Sequence, residues 1–234
     1  MSTLSRPRAA FFDIDETVVA FKSMFRFLAF YLADRGEPPG TYERLAGTLK
    51  AAAARLPRHE VNRRYHRLFA GEAAARLAAA GRAWFDAELA AGEVFIPAVL
   101  AELRGHKAAG TRVVLVSGQF FACLDPIAAA VGADRSIGTE PLMAGGRLTG
   151  EVRRPNIGAA KADAVRSEAA SRGLRLADCH AYGDHSSDLP MLQEVGHPVV
   201  VGDDPALTAH ATARGWRVIP FRTRGTGPAL PGDL

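Results

Sequence analysis

The chain has 234 residues, of which 48% are hydrophobic and 23% are charged, and its formal net charge at pH 7 is +4. This composition is typical of a folded globular protein, and so small a positive excess favours an acidic substrate only weakly. No basic stretch is interleaved with aromatic residues, so we expect no nucleic-acid partner. The length allows one large core, or one core with a small inserted domain.

Secretion and membrane insertion are not indicated. Residues 1–8 are polar and lack the apolar core of a signal peptide. The most apolar stretch, residues 21–32, is too short to span a bilayer and contains two basic residues. The two cysteines, Cys123 and Cys179, are expected to be buried free thiols in a reduced compartment. We therefore expect a cytoplasmic protein with no membrane partner.

Short apolar runs alternate with helical patterns, which predicts an α/β fold with a parallel sheet. The predicted strands cover residues 9–12, 113–116, 179–182, 198–201 and 217–219. Polar residues stand directly after the first three strands: Asp13, Ser117 and the pair Gly183-Asp184. Ligands of open α/β sheets bind at the carboxyl ends of the strands. This edge of the sheet is therefore the predicted site.

A helical insertion is predicted between the first two strands. Residues 21–92 contain no strand-like run, and their apolar residues recur at helical spacing. We expect this segment to form a cap over the carboxyl edge of the sheet, with residues 1–20 and 93–234 forming the α/β core. Pro97 should begin the helix that leads back into the sheet, and residues 141–152 suggest a β-hairpin or a loop.

The sharpest chemical signal is Asp13 and Asp15, which stand in an Asp-Ile-Asp-Glu-Thr run directly after a strand. Two carboxylates this close repel each other unless a positive charge offsets them, and magnesium prefers oxygen ligands. Asp184 and Asp188 follow a second strand and could bind the same ion. On its own, however, an Asp-x-Asp pair is also typical of a turn or a helix cap.

Two further positions suit a phosphate group. Ser117 and Gly118 stand between a strand and a helix, where a hydroxyl and free backbone N–H groups can bind an anion. Lys161 lies in a helical stretch, residues 159–169, and its ammonium could neutralise phosphoryl oxygens. A serine in this position is also a common helix cap, and Asp188 could likewise cap the helix that follows it.

In this order, the motifs Asp-x-Asp-x-Thr, Ser, Lys and Gly-Asp-x-x-x-Asp resemble those of the haloacid dehalogenase (HAD) superfamily. Residues 116–120 and 183–192 are similar to the second and fourth motifs of its phosphoserine-phosphatase-like branch, subfamily IB. The resemblance covers nearly the whole chain. It implies a Rossmann-like α/β core, with a parallel sheet flanked by helices and an inserted all-helical cap domain.

The resemblance also implies roles for the acidic residues. Asp13 would attack phosphorus to form an aspartyl-phosphate, while Asp15 would protonate the leaving alkoxide and then activate water. Mg²⁺ would be held by the carboxylates of Asp13 and Asp184 and by the backbone carbonyl of Asp15. Asp188 would orient either a lysine or the waters of the metal.

The implied phosphate-binding set consists of Thr17, Ser117, Gly118 and Lys161, with Thr17 steadying the first loop. Because an alkoxide needs a proton to leave and a halide does not, the presence of Asp15 favours ester hydrolysis. We therefore expect a magnesium-dependent phosphomonoesterase acting on a small phosphorylated metabolite. A phosphotransferase or mutase, and a non-catalytic phosphometabolite-binding module, are the alternatives.

Two residues depart from the pattern of this branch. In phosphoserine phosphatases, an acidic residue nine positions after the nucleophile contacts the amino group of the substrate, and here that position is Lys22. This argues against phosphoserine and for an anionic group on the substrate. Glu16 also replaces the commoner glycine of the first motif. The sequence predicts neither the substrate itself, nor the cap residues that contact it, nor the oligomeric state.

Overall fold

The computed structural model describes residues 8–221, and the expectations for the first seven residues and for the end of the chain lie outside this range. In chain order, the strands are β1 (Ala9–Phe12), β2 (Arg112–Val116), β3 (Arg135–Ile137), β4 (Pro141–Ala144), β5 (Arg147–Val152), β6 (His180–Gly183), β7 (His197–Val201) and β8 (Arg217–Ile219). Six of them form a parallel sheet in the order β3-β2-β1-β6-β7-β8, while β4 and β5 form an antiparallel hairpin. The predicted α/β fold is confirmed.

In chain order, the helices are α1 (Ser23–Asp34), α2 (Thr41–Ala53), α3 (Arg58–Arg67), α4 (Ala74–Ala91), α5 (Pro97–Ala108), α6 (Phe121–Val131), α7 (Ala159–Arg172), α8 (Leu189–Leu192) and α9 (Pro205–Arg214). Helices α1 to α4 all lie between β1 and β2, and we call them the cap. Pro97 begins α5, as expected. The division of the chain at residues 20 and 93 stays a prediction.

The differences from the predicted strands are small and have a local cause. Strands β2 and β7 each begin one residue earlier than expected, and β6 is shifted by one residue, which is the usual uncertainty of element ends. Strand β3 was not predicted, because among its three residues only Ile137 is aliphatic. The segment shows no strand pattern on its own, and its parallel pairing with β2 makes it a strand.

The order of the strands determines where the site can form. Strand β1 lies between β2 and β6, so the carboxyl ends of these three strands are adjacent. The backbone N–H of Asp13 donates to the carbonyl oxygen of Tyr182 at 3.0 Å, which extends the pairing one residue beyond β1. The direction of strand succession reverses between β1 and β6, and such a reversal is where open α/β sheets bind ligands.

The cap and one face of the sheet share a single hydrophobic cluster. Phe12 of β1 faces this cluster, whereas Phe11 faces a separate cluster on the other side of the sheet. Phe120, which precedes α6, packs against Phe27 and Phe69 of the cap, with ring centroids 5.9 and 5.3 Å away. The cap is therefore held to the core by continuous apolar packing.

Other sequence expectations can be compared with the described residues. Cys123 and Cys179 are both free and buried. Across residues 8–221, no helix is both long enough and apolar enough to cross a bilayer.

His66 of α3 is a buried imidazole at the junction of cap and core. It is fully inaccessible to solvent, and its ring meets that of Phe120 edge-on at 5.1 Å. Within the described part of the chain, neither ring nitrogen has a hydrogen-bond partner. Burial lowers the pKa of His66 from 6.5 to about 4. Between these two pKa values, the His66 ring therefore stays neutral in the folded protein but is protonated in the unfolded chain.

We predict that His66→Leu weakens the loss of stability on acidification. Between the two pKa values the unfolded chain binds more protons, so stability falls as the pH is lowered through 6.5 towards 4. From pH 7 to pH 5, His66 should account for about 2 kcal/mol of lost unfolding free energy. Urea denaturation at both pH values measures this loss. The control His59→Leu replaces an exposed histidine of the same helix, and an unchanged pH dependence in His66→Leu would contradict the prediction.

Candidate active site

A buried lysine joins two carboxylates at the carboxyl edge of the sheet. The ammonium of Lys161, on α7, donates to Oδ1 of Asp13 and to Oδ1 of Asp188, both at 2.6 Å. All three residues are at most 7% exposed. Burial by itself lowers the pKa of Lys161, but the two adjacent carboxylates raise it above its ordinary value. Lys161 is therefore charged in the folded protein.

Asp184 brings a third carboxylate to the same point. Ligand oxygens of Asp13, Asp184 and Asp188 all lie within 4.8 Å of one another. Burial, followed by repulsion from Asp13 and Asp188, raises the pKa of Asp184 to about 9. Burial likewise raises the pKa of Asp13, although Lys161 opposes this. One ammonium cannot neutralise three carboxylates, so the cluster fits a divalent cation that prefers oxygen ligands.

Thr17 contacts the carboxylate cluster. It is fully buried, and its hydroxyl donates to Oδ1 of Asp184 at 3.0 Å. The structure thus gives Thr17 a contact that fixes the orientation of Asp184. The phosphate-binding role that the resemblance implied for Thr17 stays a prediction.

The side chain of Asp15 is held apart from the other carboxylates. Its Oδ1 accepts hydrogen bonds from the backbone N–H of Ser23 at 2.9 Å and from Nε2 of Gln119 at 2.5 Å. Burial raises the pKa of Asp15 to about 7, although the contacts with Ser23 oppose the shift. A carboxyl group with such a pKa can both donate and accept a proton near neutral pH.

The loop after β2 is fixed by two asparagines that the sequence analysis missed. Ser117 is 2% exposed, and its carbonyl oxygen accepts from Nδ2 of Asn156 at 3.1 Å. The carbonyl oxygen of Gly118 accepts from Nδ2 of Asn62, on the cap, at 2.8 Å. Gln119 was also missed as a partner of Asp15. Gln119 lies within the motif at residues 116–120, but no sequence pattern marks Asn62 or Asn156, because their contacts depend on how distant segments meet.

These residues surround a cavity of about 530 Å³ between the cap and the sheet. The core side contributes the predicted residues Asp13, Asp15, Ser117, Gly118, Lys161, Asp184 and Asp188, together with His185 of the fourth motif. The cap contributes basic and apolar side chains, among them Lys50, Arg58 and Phe25. The predicted site residues, with Thr17 directly behind Asp184, thus converge at one end of a space large enough for a small ligand.

Both departures from the motif pattern lie at this cavity. Glu16 has a φ of 58°, a left-handed conformation that glycine adopts without strain. This accounts for the commoner glycine at that position, and Glu16 occupies it at a cost of about 1 kcal/mol. Lys22 also lines the cavity, and its ammonium lies 3.8 Å from the Glu16 carboxylate.

The haloacid dehalogenase-like hydrolase family matches residues 10–193 of the chain. A probable phosphatase of Mycobacterium tuberculosis is 35% identical over 226 residues, which cover 91% of this chain and 75% of that protein. A phosphoserine phosphatase of the same organism is 33% identical over 229 residues, covering 92% of this chain and 71% of the relative. The inhibition of morphological differentiation protein of Streptomyces azureus is 34% identical, covering 93% and 80% of the two chains.

Solved structures agree with this assignment. A Bordetella pertussis protein of unknown function superimposes with a TM-score of 0.82 at 29% identity, covering 92% of this chain and 99% of that one. A substrate-bound phosphoserine phosphatase has a TM-score of 0.66 at 19% identity, covering 93% and 94% of the two chains, and so shares the fold. The chain therefore belongs to the haloacid dehalogenase-like hydrolase family, as a phosphatase of its phosphoserine-phosphatase-like branch.

Proposed function

We propose that this phosphatase is a magnesium-dependent phosphomonoesterase that hydrolyses a small phosphorylated metabolite through an aspartyl-phosphate on Asp13. One observation carries the proposal. Asp13 shares the Lys161 ammonium with Asp188, next to Asp184, while the carboxyl group of Asp15 is held separately with a pKa near neutrality. The cluster thus offers a nucleophile in contact with an ammonium group, and Asp15 offers a separate acid and base.

The reaction has two steps. A carboxylate oxygen of Asp13 attacks phosphorus, the bond from phosphorus to the ester oxygen breaks, and Asp15 gives its proton to the leaving alkoxide. Asp15, now ionised, takes a proton from water, whose oxygen attacks phosphorus and releases Asp13 and inorganic phosphate. Lys161, the Ser117 hydroxyl and the backbone N–H of Gly118 stabilise the phosphoryl oxygens.

Asp13 and Asp184, with the backbone carbonyl of Asp15, would hold the magnesium ion, and Asp188 would orient Lys161. When bound, the ion neutralises negative charge on the transferring phosphoryl group. Oδ1 of Asp15 is engaged by Ser23 and Gln119, and we assign the backbone carbonyl of Asp15 to the metal. This division lets Asp15 keep its proton-transfer role.

The basic lining of the cavity bears on the substrate. Lys22 stands where phosphoserine phosphatases carry an acidic residue, and it shares the cavity with Lys50 and Arg58. Apart from the aspartates of the site, the described cavity lining has one carboxylate, that of Glu16, and it lies 3.8 Å from the Lys22 ammonium. These charges favour a substrate with an anionic group and disfavour phosphoserine.

We predict that Asp13→Asn lowers the hydrolysis of p-nitrophenyl phosphate by at least about a thousandfold, because an amide cannot serve as the nucleophile. The variant should stay folded, since the change relieves repulsion within the carboxylate cluster. Phosphate release and thermal denaturation are the two measurements. Asp86→Asn, the same substitution at an exposed position of α4, is the control. Full turnover in Asp13→Asn would refute the proposal.

Metal binding can be measured without any substrate. Chelator-treated protein should gain thermal stability when Mg²⁺ is added, because the ion offsets repulsion among three carboxylates. A rise of about 5–10 °C in Tm is expected at a hundred times the Kd. Asp184→Asn should largely remove this rise, and Asp86→Asn should keep it. Equal rises in both variants would argue against a magnesium site at Asp184.

A substitution at Gly183 should change the position of the Asp188 side chain. A Cβ atom on Gly183 would lie 2.7 Å from Cβ of Asp188 and 3.0 Å from its Oδ2. Gly183→Ala must therefore displace the carboxylate that Lys161 contacts, and a shift of about 1 Å can cost about a hundredfold in rate. Steady-state kcat/KM is the measurement. Gly105→Ala, in open space on α5, should leave it unchanged, and equal rates in the two variants would count against a role for Asp188.

A further inference from the structure

Besides the basic residues Lys50 and Arg58, the cap side of the cavity carries a set of apolar side chains. They come from α1, α2, α3 and the segment between the last two helices. They are Met24, Phe25, Leu49, Ala53, Leu56 and Val61, and Ile157 faces them from the core. We call the six cap residues the apolar wall. Lys161 and the carboxylates lie on the other side of the same cavity.

The apolar wall is not simply the interior of the cap. The side chains that fill the cap interior, such as Phe27, Leu28 and Trp84, are at most 1% exposed. Of the six wall residues, only Leu49 is buried like them; Ala53 is exposed, and Met24, Phe25, Leu56 and Val61 are half-buried. The wall thus keeps apolar surface open to the cavity. Apolar surface facing water carries a free-energy cost that a ligand of matching character relieves.

The size of the cavity also exceeds what a small polar leaving group needs. At about 530 Å³ it lies in the range that encloses ligands of drug size, roughly 300–1,000 Å³. A phosphate group with a two- or three-carbon polar body would leave most of the apolar wall in contact with water. A leaving group with a long apolar body would cover the wall instead.

We propose that the substrate is a phosphate monoester of an alcohol with an extended apolar body, which packs against the apolar wall while its phosphate meets Asp13 and Lys161. This inference rests on the proposed function and narrows its substrate class. The wall contributes to binding in proportion to the apolar area that it removes from water. Selectivity should therefore grow with the length of the apolar chain.

A homologous series of n-alkyl phosphates, from ethyl to octyl, tests this inference. Their alcohols differ little in basicity, so the chemistry of the leaving group stays nearly constant while the apolar area increases. We expect kcat/KM to rise by about threefold per methylene over the first several carbons, and to level off once the wall is covered. Phosphate release is measured with magnesium present, at concentrations below micelle formation.

A matched pair of variants locates the effect. Ala53→Asp places a carboxylate on the apolar wall at an exposed position, whereas Ala51→Asp places one on the same helix away from the cavity. Ala53→Asp should lower the ratio of kcat/KM for octyl phosphate to that for ethyl phosphate by at least about tenfold. Ala51→Asp should leave both values unchanged. Thermal denaturation confirms that both variants are folded.

The outcomes distinguish a failure of the proposed function from a failure of the apolar substrate class. If no ester of the series and no p-nitrophenyl phosphate is hydrolysed, the proposed function itself fails. If all esters are hydrolysed with the same kcat/KM, the phosphatase stands and the apolar substrate class is overturned. The same conclusion follows if Ala53→Asp affects ethyl and octyl phosphate equally. A rise with chain length that Ala53→Asp alone removes supports the inference.

Discussion

The contact between the Lys161 ammonium and two buried carboxylates is the interaction on which the site depends. Without it, two buried carboxylates, those of Asp13 and Asp188, would lie near each other with no cation to offset their repulsion. The position of Lys161 depends in turn on how its helix, α7, is attached to the sheet. Glu168, on the same helix, is fully buried and pairs with Arg112 of β2 and Arg135 of β3, at 2.9 and 2.5 Å. These ion pairs fix α7 against β2 and β3, and thereby the position of the Lys161 ammonium.

One ammonium leaves the cluster of Asp13, Asp184 and Asp188 short of positive charge, and this shortage links stability to function. The folded chain either protonates a carboxyl group, as the pKa of Asp184 at about 9 indicates, or gains a cation. The excess of negative charge that destabilises the metal-free fold therefore also creates affinity for a divalent ion. The Asp15 carboxyl group is not part of this cluster, because hydrogen bonds from Ser23 and Gln119 hold its side chain elsewhere in the cavity.

The sequence predicts those parts of the site that follow a strand directly. Asp13, Ser117 and Asp184 each come after a buried apolar run, so their convergence follows from a parallel sheet. Other parts depend on contacts between distant segments. Asn62 reaches Gly118 from the cap and Asn156 reaches the loop after β2 from beyond the hairpin, and neither stands in a recognisable pattern. Strand β3 was not predicted for a similar reason, because only its pairing with β2 identifies the segment as a strand.

The cap is coupled to the nucleophile loop through the chain segments that join it to the core. The N–H of Ala20 donates to the carbonyl of Val94 at 2.9 Å, and that of Ile96 donates to the carbonyl of Val18 at 3.0 Å. The outgoing and returning segments therefore run side by side, a few residues after Asp15. The pair follows directly on the turn at Glu16, where the backbone has a positive φ. The backbone that joins the cap to the core and the loop that carries Asp15 are consequently parts of one short, hydrogen-bonded stretch of chain.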